Sequence, residues 1–165
     1  VALFDTESNE YDFYANLDSI SNLIGAKIPD TLHAFKMREE TPATNRDAIT
    51  YYIETFKSKI IVIDGFLDLI DNFNDERESR LLVNWLKFIT SKYKCLIVGV
   101  IHLGKKDNHT LGHFGSMIDR YAQSVLEVVK DKDSGSFELR PKMLRSAADF
   151  TAIRAIRQGD KLYKI

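Results

Sequence analysis

Two carboxylates carry the clearest chemical signal in this chain. Asp64 closes the apolar run Ile60-Ile61-Val62-Ile63, and Glu7 follows Val1-Ala2-Leu3-Phe4-Asp5-Thr6. A carboxylate at the C-terminal tip of a buried strand faces the crevice where open α/β sheets bind ligands. One such group can hold Mg²⁺. A second on the same rim can act as a general base, activating water for attack on a phosphate. Each has a plainer reading. An aspartate after a strand also serves turns and helix caps, and a first-turn glutamate is favoured by the helix dipole. His102 ends a third apolar run, Leu96–Ile101. It can sense a γ-phosphate or simply finish a strand.

Other residues offer alternatives. Asp68 and Asp71 follow Asp64 at spacings of four and three. On one helix face they would form a carboxylate cluster for a metal-dependent nuclease; otherwise they are an acidic stretch over packed Phe66, Leu67, Leu69 and Ile70. Gly99-Val100-Ile101-His102-Leu103-Gly104-Lys105-Lys106 approaches the phosphate-loop pattern G-x-x-x-x-G-K-[ST]. Its spacer is strand rather than loop, however, and Lys106 brings no hydroxyl for Mg²⁺. Lys105, Lys106, His109 and His113 lie in a glycine-bearing stretch that suits a nucleic-acid backbone or plain solvent. Asp107, His109 and His113 are too few for a convincing zinc site. Arg145 lies in the basic C-terminal third, as a surface arginine or as a finger reaching across a subunit interface.

Positioning the strand-tip groups requires an alternating chain. Strands are predicted over Val1–Asp5, Leu32–Phe35, Ile60–Ile63 and Leu96–Ile101. Helices are predicted over Tyr11–Ile24, with Phe13, Leu17, Ile20 and Ile24 on one stripe, from Asn45 to Phe56, and over Asp75–Ser91. The continuous β-branched run at Ile60–Ile63 predicts burial on both sheet faces. Gly104–Gly115 reads as loop. Ser124–Val129 and Phe137–Leu139 flank the turn Asp133-Ser134-Gly135 as a hairpin, and Thr151–Ile165 reads as a last strand pair about Gln158-Gly159-Asp160. The class is α/β: a mostly parallel sheet with flanking helices and a C-terminal antiparallel extension.

With 165 residues, 44% hydrophobic and 28% charged, the chain is expected to form one soluble domain with a real core. Its single cysteine, Cys95, opens an apolar run and is expected to be a buried thiol, which suits a reducing, cytoplasmic setting. No run reaches the length of a membrane span. Net charge is −1, yet the ends differ: residues 1–30 hold six acids against Lys27, and residues 140–165 hold seven bases against Asp149 and Asp160. That asymmetry suits a polyanion contact, a head-to-tail subunit interface or two solvated surfaces. The chain opens on Val1 without an initiator Met and reads as a fragment entered in mid-fold.

Together these segments resemble the RecA-like ATPase core of hexameric helicases, of the replicative DnaB type and more closely the plasmid RepA type and related mobile-element ATPases. The resemblance spans nearly the whole chain but begins after that family's first strand and P-loop, so residues 1–165 are expected to be a single RecA-like domain truncated at its N-terminus and lacking Walker A. It implies that Glu7 is the catalytic base, that Asp64 is the Walker B residue holding Mg²⁺, and that His102 is the γ-phosphate sensor. Gly112-His113-Phe114-Gly115-Ser116-Met117-Ile118, with Ala122 and Ser124-Val125-Leu126, resembles the segment after the DNA-binding loop, although Gln123 replaces the usual acid. Lys142-Met143-Leu144-Arg145 resembles the stretch offering a basic finger to the neighbouring subunit. The implied activity is Mg²⁺-ATP hydrolysis coupled to single-stranded DNA, with Lys105, Lys106, His109 and His113 at the DNA, in a homo-oligomer, a hexameric ring. ATP and Mg²⁺ would be bound by the intact parent, and this chain alone is expected to be inactive. The alternative is a non-catalytic RecA-like module that binds DNA or supports assembly.

Overall fold

The strand-tip groups are carried by a parallel sheet in a computed structural model that describes residues 1–102, 112–159 and 161–165. The chain forms two compact units, Val1–Ala15 with Pro29–Ile118, and Asn16–Ile28 with Asp119–Ile165.

The first unit holds β1 (Ala2–Asp5), β2 (His33–Lys36), β3 (Ile60–Asp64) and β4 (Leu96–Val100), in the order β2-β1-β3-β4. All neighbouring pairs are parallel. Between them in sequence run the helices α1 (Glu10–Ile24), whose residues from Asn16 onward fall in the second unit, α2 (Pro42–Phe56) and α3 (Glu76–Tyr93). Strand and helix alternate because apolar periodicity switches from two to about 3.6 between segments.

The core lies on one face of this sheet. Ala2, Phe4, Ile61 and Ile63 are at most 1% exposed and cluster with Ile49, Tyr52 and Ile53 of α2 and Leu82, Val83 and Ile89 of α3. Cys95 joins this cluster as a buried thiol. The other face differs from the two-sided burial predicted for Ile60–Ile63. Ile60 is 40% exposed, and on β4 Leu96, Val98 and Val100 are 58%, 45% and 37% exposed. Side chains alternate across a strand, so the apolar run shows that both faces suit burial, while α2 and α3 cover only one.

Helix ends follow local chemistry. The Thr41 hydroxyl accepts the Thr44 N–H at 3.2 Å, with Pro42 in the first turn of α2. The start predicted at Asn45 is therefore too late: Thr41 is the cap and Pro42 the first residue, because proline lacks only an N–H that would be unpaired there anyway. Asn45 instead lies buried inside α2. Asp75 caps α3, its carboxylate accepting the Glu78 N–H at 2.8 Å. A short 3₁₀ turn, Phe66–Leu69, follows β3. Asp71 falls beyond it, so Asp68 and Asp71 do not share a helix face and the nuclease arrangement is not formed.

The predicted loop Gly104–Gly115 also needs correction at its end. α4 (Gly112–Tyr121) begins there, with Gly112 at φ 68°. Phe114 is fully buried, its ring centroid 6.2 Å from that of Phe66. The helical spacing of Phe114, Met117 and Ile118 outweighs the glycines that suggested loop.

The second unit is an antiparallel sheet, β5 (Ser124–Lys130), β6 (Ser136–Leu144), β7 (Ile153–Gln158) and β8 (Lys161–Lys164), in that order. The Asp131 carboxylate accepts the Asp133 and Ser134 N–H groups at the first turn, and Gly135 takes φ 68°. β6 runs through Pro141. The proline is accommodated because the β5–β6 register shifts between Val125 and Leu126, and β7 pairs only with Ser136–Leu139. The fold is thus α/β, a parallel sheet flanked by helices with an antiparallel extension, as the sequence predicts.

Candidate functional site

The rim is built by register. Asp5 pairs with Asp64, and Asp64 pairs with Val100, across three adjacent parallel strands. Glu7 and His102 therefore leave the sheet two residues past matched positions on β1 and β4. Two strand spacings, roughly 9–10 Å, separate those outer strands. The two side chains nonetheless meet: His102 Nε2 is 2.9 Å from Glu7 Oε2. An ionised carboxylate only accepts, so Nε2 carries the hydrogen. Both groups reach solvent, with side chains 69% and 39% exposed.

Asp64 sits between them, half-buried. Burial raises its carboxyl above the usual range; the negative charges of Asp5 and then Glu7 push the same way, and His102 opposes them. Crowded acids of this kind disfavour ionisation until a cation arrives. Among the described residues no group of three or more His, Cys, Asp or Glu stands ready to cage a metal. Asp64 nonetheless fits Mg²⁺, a hard cation that is commonly held through one or two carboxylates together with phosphate oxygens and water.

The peptide that carries Glu7 is fixed by neighbours that the sequence did not single out. Asp5, 3% exposed, accepts the Glu7 N–H at 3.1 Å and the Ser8 N–H at 2.8 Å. Thr6 donates its backbone N–H to the Asp64 carbonyl at 2.8 Å. Its hydroxyl lies 2.8 Å from Asp68 Oδ2, 3.0 Å from the Asp64 carbonyl and 3.1 Å from the Gly65 carbonyl. Gly65 has φ 106°, and a Cβ there would lie 2.7 Å from Glu7 Cγ and from Thr6 Oγ1. Glycine is required at this turn on both counts. The signal for Asp5 was present in Asp5-Thr6-Glu7-Ser8, since an aspartate often accepts the N–H two residues on. The partnership of Thr6 with Asp68, 62 residues apart, left no local trace.

The remaining sequence candidates fall elsewhere. Lys105, Lys106 and His109 lie outside the described residues. His113 is exposed in the first turn of α4. Arg145 belongs to the second unit, where its guanidinium donates to the carbonyls of Ala122, at 2.9 Å, and Arg120. Lys142 pairs with Asp119 at 2.8 Å. Two surface hollows, of 470 Å³ lined by Leu23, Gly25 and Leu162 in the second unit and of 270 Å³ lined by Arg46, Glu78 and Trp85 in the first, include none of Glu7, Asp64 and His102 in their lining. No helix among the described residues is long and apolar enough to cross a membrane.

No family model matches the sequence, and no curated protein matches it. Among solved structures the chain is similar to a KaiC-like protein from the hyperthermophilic archaeon Pyrococcus horikoshii, with TM-score 0.65 and 11% identity, over 99% of this chain and 75% of that one. A likeness at this identity concerns the fold, and it supports a RecA-like core.

Proposed function

We propose that the intact parent of this chain is a RecA-like ATPase of helicase, replication or mobile-element type, coupling Mg²⁺-ATP hydrolysis to single-stranded DNA as a cytoplasmic, ring-forming homo-oligomer, a hexamer. One observation carries the reading: Glu7, Asp64 and His102 converge at the C-terminal rim of three neighbouring parallel strands. Mg²⁺, when bound, neutralises phosphate charge beside Asp64. Glu7 is the general base that orients and deprotonates water. His102 holds Glu7 in the structure described; a γ-phosphate oxygen is a competing acceptor, so substrate releases the carboxylate for work. Arg145 and the stretch with Lys105, Lys106, His109 and His113 are assigned to a neighbouring subunit's site and to DNA, respectively.

A triphosphate also needs a cradle of backbone N–H groups. We assign it to a further strand, loop and helix of the parent, paired along the outer side of β4, an edge strand among the described residues, so that residues 1–165 are one truncated RecA-like domain. The exposed apolar side chains of Leu96, Val98 and Val100 support an added layer there. The test is ATP turnover by the full-length protein with and without single-stranded DNA. The reading expects Mg²⁺-dependent turnover that DNA stimulates. DNA binding without turnover would instead establish a non-catalytic module.

A further inference from the structure

Thr6 is 3% exposed, and its hydroxyl has one hydrogen to give. Its three close oxygen neighbours are all acceptors: Asp68 Oδ2 at 2.8 Å and the carbonyls of Asp64 and Gly65 at 3.0 and 3.1 Å. The nearest and most negative is the Asp68 carboxylate, which takes the proton's direction. This bond ties the residue before Glu7 to the 3₁₀ turn that follows Asp64. Gly65 lies wedged inside the same knot, where a Cβ would fall within 2.8 Å of Thr6, Glu7 and Asp68 alike. Asp68 is anchored in turn by its own backbone, whose carbonyl accepts the buried Asn45 side-chain N–H at 3.3 Å.

We propose that Thr6 and Asp68 form a clasp that positions the Glu7 carboxylate beside Asp64. The inference rests on the ATPase reading for what Glu7 does, and adds Thr6 and Asp68 as positioning residues for that step. Asp68 acts as a hydrogen-bond acceptor, and its charge is not required. A base displaced by a fraction of an ångström loses alignment with its water, so the clasp governs turnover rather than binding.

The test uses the full-length protein and reads ATP turnover, melting temperature and amide hydrogen exchange across residues 5–8 side by side. Thr6→Val and Asp68→Ala each lower kcat about tenfold. KM and melting temperature stay near wild type, and exchange at Glu7 and Ser8 accelerates. The double variant is no worse than either single change, because both break one bond. Thr6→Ser still donates and Asp68→Asn still accepts through its carbonyl oxygen, so both remain within about twofold of wild type. Asp68→Asn as damaging as Asp68→Ala overturns the clasp, since charge rather than the bond would then matter. Unchanged exchange in both Thr6→Val and Asp68→Ala overturns it whatever the turnover shows. A wild-type protein without turnover removes the ATPase reading, and the exchange comparison still decides the clasp.

Discussion

At the scale of single residues, the Asp64 carboxyl carries a cost that only a ligand removes. Half-burial raises its pKa first, and the charges of Asp5 and Glu7 raise it further. Ionising Asp64 therefore costs the folded chain more than the unfolded one. Its contribution to stability is complete below the unfolded carboxylate range and is lost as pH rises through the raised folded value. At neutral pH, Asp64→Asn should then melt higher, by roughly 2 °C once solvent screening of a half-exposed group is allowed for. Added Mg²⁺ should raise the wild-type melting temperature at neutral pH and leave Asp64→Asn unmoved. Thermal melts from pH 4 to 8, with and without Mg²⁺, check both; a wild-type advantage over Asp64→Asn throughout would refute the strain. The rim positions of Asp64 and Glu7 were legible in the sequence because Asp64 closes one apolar run and Glu7 lies three residues beyond another. The pairing of Thr6 with Asp68 was not, because a hydroxyl bonded to a carboxylate 62 positions away leaves no periodic signature, and Asp68 drew notice only for its spacing from Asp64.

At the scale of elements, the rim depends on how closely β4 approaches the turn after β3. Gly99 has no side chain, and a Cβ there would lie 2.1 Å from Phe66 Cζ. Phe66 is only 6% exposed, so its ring has little room to move. Gly99→Ala should destabilise by roughly 1–3 kcal/mol through overpacking, and Phe66→Leu in the same background should recover part of that loss. Chemical denaturation of the two variants and the double variant measures both effects. An unaffected Gly99→Ala would mean that β4 and the turn are less tightly joined than described. The four strands of the parallel sheet and the helices between them were largely readable from periodicity; their order in the sheet was not. α4 was not: its first turn holds Gly112 and Gly115, both loop signals, which masked the helical spacing of Phe114, Met117 and Ile118 and the packing of Phe114 near Phe66.

At the scale of the whole molecule, the fold resembles a RecA-like core, while β4 exposes an apolar face and is an edge strand among the described residues. An edge of that kind invites pairing with another strand. Composition could not reveal this, because the same Ile60–Ile63 and Leu96–Val100 runs describe a strand covered on one face or on two. The basic C-terminal residues are partly spent within their own sheet, where Arg140 pairs with Glu127 at 2.8 Å and Arg154 with Glu138 at 2.9 Å. The charge asymmetry seen in sequence is thus a weaker sign of a polyanion partner than the residue counts suggest. What remains decisive is whether the paired acids at the rim perform hydrolysis in the complete protein. The direct measurement is ATP turnover by full-length Glu7→Gln, with ATP affinity determined in parallel. Turnover should fall by about a hundredfold or more with affinity retained; turnover equal to wild type would rule out Glu7 as the base.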